Sequence, residues 1–260
     1  MKPKIGVLLG DPNGVGPEMA VKLLAGEDVR ERADILVIGD QRILRMAEKV
    51  AGISVPADVP FLDVPSITLD EITPGEATAA GGRACLESLS VALDMAKKGE
   101  IDGFCFAPLN KYALKLGGCP VADEHIFFAR ELDFDGPFCE HNVLDDLWTT
   151  RTTSHIPMSE VCALITPERI LRAIRLAHNT LGSAGFEKPR IAVAALNPHA
   201  GDGGMFGREE IDIIAPTIEA AKAEGIDADG PFAADTVFLK AKDGNFDAVV
   251  TMYHDQGQIA

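Results

Sequence analysis

The chain predicts an α/β protein built on mainly parallel sheets. Short apolar, β-branched runs recur along its whole length, helical patterns fill the spaces between them, and each run gives way at once to turn residues. The runs are Ile5 to Leu9, Ile35 to Ile38, Gly103 to Phe106, Ile191 to Ala195 and Ala248 to Met252. Being apolar on both faces, they read as strands covered from two sides. A helix is expected from Pro17, after a glycine-rich turn, and a second over about Gly82 to Lys98, with Leu86, Leu89, Leu93 and Ala96 on one side. The clearest helix starts at Thr166 as cap with Pro167 in its first turn; Ile170, Ile174, Ala177 and Leu181 form its apolar face, and Gly182 is placed to stop it. In open parallel sheets ligands bind at the carboxyl ends of the strands, so the residues just after each run are where function is sought.

Composition bounds the rest. The 260 residues are 47% apolar and 25% charged, enough to bury one large core or two smaller ones, which excludes a disordered chain. Lys and Arg total 24 against 40 acidic residues, a net charge of -16, so neither nucleic acid nor an anionic membrane is the expected partner; a small molecule is. No apolar run has the length of a membrane span, and Ile5 to Leu9 is too short and too quickly polar for a secretory signal, so a cytoplasmic location is expected. The five cysteines include no C-x-x-C pair and are expected to be reduced and mostly buried. The irregular acidic stretch from Leu132 to Asp146 is the best boundary, giving lobes over 1–140 and 141–260, with the chain free to cross between them more than once.

Three groups of residues can carry chemistry. The first is Gly10-Asp11-Pro12-Asn13-Gly14-Val15-Gly16-Pro17-Glu18, a loop between a strand and a helix. Around Asp11, Gly14 and Gly16 its backbone amides can face an anion or a cofactor. It is neither a Walker loop nor the G-x-G-x-x-G fingerprint, and a tight strand-to-helix turn explains it equally well. The second group is three histidines in turn-rich settings at or after strands: His155, His199 and His254. Neutral imidazoles from three strand ends suit zinc or a similar divalent ion that keeps a position open for substrate. The rival reading is three hydrogen-bonded loop histidines, since sequence separation says nothing about convergence. Asp255 and Asp235 can orient such ligands or accept a proton, or merely cap helices. The third group is Lys111 with Asp123-Glu124-His125, which with Asn197 are the substrate-contact candidates; a solvated helix start is the alternative. His178 falls inside a predicted helix and is given no role, and His141 is expected at the surface.

Taken together, these motifs resemble the 4-hydroxythreonine-4-phosphate dehydrogenase family of vitamin B6 (pyridoxine) biosynthesis and its paralogues. The resemblance runs from the glycine loop through Ala107 to Lys111, Thr152 to Pro157, Leu196 to Gly204 with Glu209-Glu210, and Gly230 to Phe238, to Tyr253-His254-Asp255-Gln256-Gly257. It implies a fold like that of the isocitrate and isopropylmalate dehydrogenases, with two α/β/α lobes, an interlobe cleft, and a homodimer whose active sites are shared between protomers. It implies a divalent metal (Zn, Mg, Co or similar) on three histidines, matched here by His155, His199 and His254. The implied reaction is NAD- or NADP-linked oxidation of a secondary alcohol, followed in the biosynthetic member by loss of CO₂.

Two departures qualify the resemblance. Where biosynthetic members carry Gly-His-Thr-Glu, this chain has Asp123-Glu124-His125-Ile126. A carboxylate at Glu124 repels a nearby substrate anion, which opens the alternatives of another sugar-acid phosphate or a carboxylated dihydrodiol. The chain also stops at Gln258-Ile259-Ala260 while relatives continue, so a shortened version of a longer protein is expected. The rival functions are an acyl or phosphoryl transferase of the same architecture, and a non-catalytic metal- or metabolite-binding protein.

Overall fold

The computed structural model describes residues 2–121, 123–145 and 147–259. The chain divides into two compact units, Met1–Asp135 and Gly136–Ala260. The first contains strands β1 (Lys4–Leu8), β2 (Asp34–Gly39), β3 (Phe61–Asp63) and β4 (Gly103–Phe106) and helices α1 (Gly16–Ala25), α2 (Glu27–Arg32), α3 (Gln41–Ala51), α4 (Ala79–Lys97), α5 (Lys111–Leu116) and α6 (Glu124–Glu131). The second contains β5 (Asn142–Leu144), β6 (Leu147–Arg151), β7 (Ile191–Ala194), β8 (Ala228–Phe232) and β9 (Ala248–Thr251), with α7 (Met158–Leu164), α8 (Pro167–Ser183), α9 (Ala215–Ala223), α10 (Ala234–Lys242) and α11 (His254–Gln258).

In the first unit four parallel strands lie in the order β3-β2-β1-β4. β1 is buried on both faces because successive side chains alternate. Val7 and Leu9 pack with Val21 and Leu24 of α1 and with Ile43 and Leu44 of α3, while Leu8 joins Leu89 and Leu93 of α4. In the second unit the order is β5-β6-β9-β7-β8, parallel except for the β5–β6 pair. Ile191 and Val193 of β7 meet Ile170, Ile174 and Leu181 of α8 on one face, and Ala192 and Ala194 meet Val237 and Ala241 of α10 on the other.

All five expected strands and all three expected helices form. α4 starts earlier than its apolar stripe suggests, because the Thr78 hydroxyl accepts the Gly81 amide at 3.0 Å as a cap. Gly82 then lies so close to α5 that a Cβ there would meet the Ala113 carbonyl oxygen at 1.8 Å. Among the described residues four further strands form, and their weak patterns have identifiable reasons. β3 and β5 are three residues each, β6 reads Leu-Trp-Thr-Thr-Arg and buries its threonines, and β8 carries Gly230-Pro231 on a sheet edge, where proline is tolerated.

Two expectations are corrected. All five cysteines are free, but Cys85 is buried, Cys119 and Cys139 are half-buried, and Cys105 and Cys162 are exposed. Cys105 lies on β4, an edge strand of its sheet, so packing does not enclose it. His141 is not a surface residue. It is half-buried, its ring edge-on to Trp148 with centroids 5.8 Å apart and its Nε2 3.3 Å from the Cys139 thiol. Burial, and then the charge of Arg151, hold its pKa below the usual imidazole value.

Candidate active site

The topology of the second unit decides which candidates can meet. β9 lies between β6 and β7, so the segments carrying His155, His254 and His199 leave three adjacent parallel strands at their carboxyl ends. The ends of β6 and β9 are tied beyond their last ladder pair: the Thr152 amide donates to the Thr251 carbonyl at 2.8 Å, and the Thr153 hydroxyl to the Met252 carbonyl at 2.7 Å. β9 is tied to β7 by Gln256, whose amide accepts from the Met252 N–H and donates to the Ala195 carbonyl, both at 2.7 Å. None of these polar side chains is apolar enough to stand out in a strand pattern; their position directly after a strand was the available signal.

The result is a histidine pair. The rings of His155 and His254 lie with centroids 5.4 Å apart and planes tilted by 42°. His155 reaches this position with φ of +48°, a left-handed conformation that costs a non-glycine residue about 1 kcal/mol. Asp255 Oδ1 is 2.7 Å from His254 Nδ1, which directs the His254 Nε2 elsewhere. A cavity of about 190 Å³ is lined by both imidazoles with Thr153, Met158, Tyr253 and Asp255. Asp235 is exposed in the first turn of α10.

His199 follows β7 in a different kind of backbone. His199, Ala200, Gly201, Asp202 and Gly203 all have φ between +44° and +76°, a left-handed turn of five residues. His199 is exposed, with the Phe206 ring 6.5 Å away. Among the described residues of one chain, no three His, Cys, Asp or Glu side chains gather as a metal cluster.

A buried carboxylate anchors that turn. Glu210, 3% exposed, accepts the amides of Leu196 at 2.9 Å and Asn197 at 2.7 Å, and the Asn197 side chain at 3.0 Å. Burial alone would push this carboxyl up; the Asn197 and Leu196 donors outweigh it and hold its pKa below the usual glutamate value. The Asn197 side-chain nitrogen also donates to Glu209 at 2.7 Å, so its donor capacity serves the turn.

The first unit holds the remaining candidates. Lys111 opens α5 and is ion-paired with Asp123, with Glu124 Oε2 3.6 Å from its ammonium nitrogen. Asp123 precedes α6, whose first residues are Glu124 and His125. In the glycine loop, Asp11 is buried, accepts the Asn13 amide at 2.9 Å and is pushed above its ordinary pKa by burial. Asn13 turns inward too, donating to Thr78 and accepting the Thr73 amide, both at 2.8 Å. Gly14 is exposed, whereas Gly16 packs so tightly that a Cβ would meet the Leu9 carbonyl at 2.9 Å. The loop's side chains therefore brace the strand-to-helix turn, and its exposed Gly14 backbone is what remains for a ligand.

Comparison with known proteins agrees over the whole chain. Residues 31–260 match the family model described as pyridoxal phosphate biosynthetic protein PdxA. A Pseudomonas aeruginosa relative with the provisional name 4-hydroxythreonine-4-phosphate dehydrogenase 2 is 48% identical, over 99% of this chain and 81% of its own. One from Oceanobacillus iheyensis, provisionally named D-threonate 4-phosphate dehydrogenase, is 38% identical over 98% of this chain and 81% of its own. The crystal structure of 4-hydroxythreonine-4-phosphate dehydrogenase from Klebsiella pneumoniae superimposes with a TM-score of 0.88 at 33% identity, covering all of this chain and 82% of the other. With its two mainly parallel α/β sheets and its histidines placed at adjacent strand ends, the chain belongs to the PdxA family of dehydrogenases.

Proposed function

We propose that this protein oxidises a secondary alcohol on a small, anionic hydroxy acid with NAD⁺ or NADP⁺, using a divalent cation held by His155 and His254 and by His199 of a second copy of the chain. The observation that carries this reading is the pair of imidazoles 5.4 Å apart beside a cavity, one of them backed by a carboxylate. That donor set fits a zinc-type ion: two imidazole rings, and an aspartate beside the Nδ1 of one that leaves its Nε2 for a ligand position. Two histidines do not complete such a site, and His199, exposed on its turn, is available to a symmetric partner.

When bound, the cation supplies Lewis acidity, which lowers the pKa of an alcohol as it does that of water. The nicotinamide supplies the hydride acceptor. Asp255 keeps the proton on His254 Nδ1 and so the ring in place; Asp235, exposed at the start of α10, is the carboxylate free to take a proton from substrate. Oxidation of a hydroxyl on the carbon β to a carboxylate gives a 3-oxo acid, whose carbonyl accepts the electron pair left when CO₂ departs. Lys111, Asn197, Glu124 and His125 are the substrate contacts in this reading, and Asp11, Gly14 and Gly16 brace or face the cofactor.

The acidic surroundings of Lys111 bear on the substrate. With Asp123 and Glu124 both beside it, its charge is already neutralised, so the substrate's anionic group binds less strongly there than at a free lysine. The relatives' names supply the substrates to try first: 4-hydroxythreonine 4-phosphate and D-threonate 4-phosphate. The test is NAD(P)H formation from these two and from a carboxylated dihydrodiol, with and without chelator. Chelator-sensitive turnover of any one supports the reading; no turnover of all three, from a protein that binds zinc, removes it.

A further inference from the structure

Arg151, the last residue of β6, pairs in register with Thr251 of β9, and its side chain is only 6% exposed. A guanidinium is costly to bury unless its charge is matched and its donors are used. Here the charge is matched and two of the three guanidinium nitrogens have partners. Nη2 is ion-paired with Glu140, whose own backbone is fastened to β6 by a hydrogen bond from the Thr150 hydroxyl to its carbonyl at 3.0 Å. Nε donates to the Ser154 hydroxyl at 3.0 Å. A rigid strand end thus carries a charged fork, one prong fixed on Glu140 and the other grasping the residue before His155.

His155 has the left-handed φ of +48°, a conformation that persists only where neighbours impose it. Among the restraints on this turn, Thr153 is held to the Met252 carbonyl and Ser154 to Arg151. We propose that Arg151, acting through Ser154, is a positioning residue that sets the His155 imidazole beside His254 before any ligand arrives. The role rests on the metal-binding reading of the two histidines, but its structural half is readable without metal. Lysine at position 151 would keep the charge and lose the fork, since one ammonium cannot reach both partners in fixed geometry.

The experiment compares wild type, Ser154→Ala, Ser154→Thr and Arg151→Lys. In the metal-free protein, amide exchange over residues 152–157 is followed by mass spectrometry; zinc affinity is then measured by calorimetry. Ser154→Ala is expected to speed exchange about tenfold and weaken zinc binding about tenfold, with a melting temperature lowered by a few degrees and unfolding still cooperative. Ser154→Thr, which restores the hydroxyl, should recover both. Arg151→Lys should resemble Ser154→Ala, and if it fails to fold the serine pair decides. Unchanged exchange in Ser154→Ala overturns the positioning role whatever zinc does, as does a defect that threonine fails to rescue. Zinc binding in wild type that survives His254→Ala overturns the metal reading instead and leaves the exchange result to judge Arg151.

Discussion

The hydroxyl of Thr153 donates to the Met252 carbonyl at 2.7 Å, and the Thr153 amide reaches the same oxygen at 3.2 Å. Two residues later on each strand come His155 and His254, so this clasp is what turns two remote histidines into a pair. Thr153→Val keeps the shape and removes the hydroxyl donor. It should cost about 1 kcal/mol in urea unfolding and weaken zinc binding severalfold; wild-type values for both would mean that the sheet ladder alone holds the two ends together.

Removing His254 and loosening it should give different results. His254→Ala is expected to abolish zinc uptake and chelator-sensitive NAD(P)H formation. Asp255→Asn leaves the imidazole and takes away the charge beside Nδ1, so zinc affinity should fall by about ten- to a hundredfold. Calorimetric titration measures both, and an Asp255→Asn protein that binds like wild type would show that Asp255 does not orient the ring.

The glycines of the first loop are not equivalent. Gly10 has φ of +76° and a Cβ there would lie 2.6 Å from the Ala107 carbonyl, whereas a Cβ on Gly14 would meet its nearest neighbour at 3.6 Å. Gly10→Ala should destabilise the protein by about 2 kcal/mol or more, and Gly14→Ala by less than about 0.5 kcal/mol. Denaturant melts of the two variants side by side check this.

Asp40 gives the stability a pH dependence of known sign. Its side chain is 1% exposed and accepts the amides of Arg42 at 2.9 Å and Ser66 at 3.0 Å, together with the Arg42 guanidinium. Burial would raise its pKa, but these donors outweigh it and the folded-state value lies below the ordinary 3.8. The stabilisation is therefore complete above the unfolded-state pKa and disappears as pH falls through the folded-state one. Asp40→Asn should cost about 2 kcal/mol at pH 7, with the gap to wild type narrowing below pH 4; a gap independent of pH would contradict the assignment.

Glu124→Gln removes one of the two carboxylates beside Lys111. An exposed ion pair is worth up to about 1 kcal/mol, so KM for a phosphorylated hydroxy acid should fall up to about fivefold with little change in kcat. An unchanged KM, with activity intact, would place the substrate anion elsewhere.

The strands of the two cores were legible because Gly6 to Leu8 and Ile191 to Ala194 are buried, which leaves an unbroken apolar run. β6 was not, since Thr149 and Thr150 are buried by hydrogen bonding and strand pairing that no hydropathy pattern records. The histidines could be picked out by their place after strands, yet their meeting depends on β9 lying between β6 and β7, a strand order that only tertiary packing sets. The inward orientation of Asp11 and Asn13 was likewise invisible: an aspartate in a glycine loop looks the same in sequence whether it faces a ligand or its own backbone.

The left-handed turn from His199 to Gly203 places histidine, alanine and aspartate where glycine would sit without steric penalty. A library selected for heat tolerance alone should therefore drift toward glycine at Ala200. One selected for turnover should resist such drift at His199, the imidazole proposed to complete the metal site. The positions at which the two selections part company would mark, without any ligand in hand, which residues of this turn are retained for chemistry and which merely for shape.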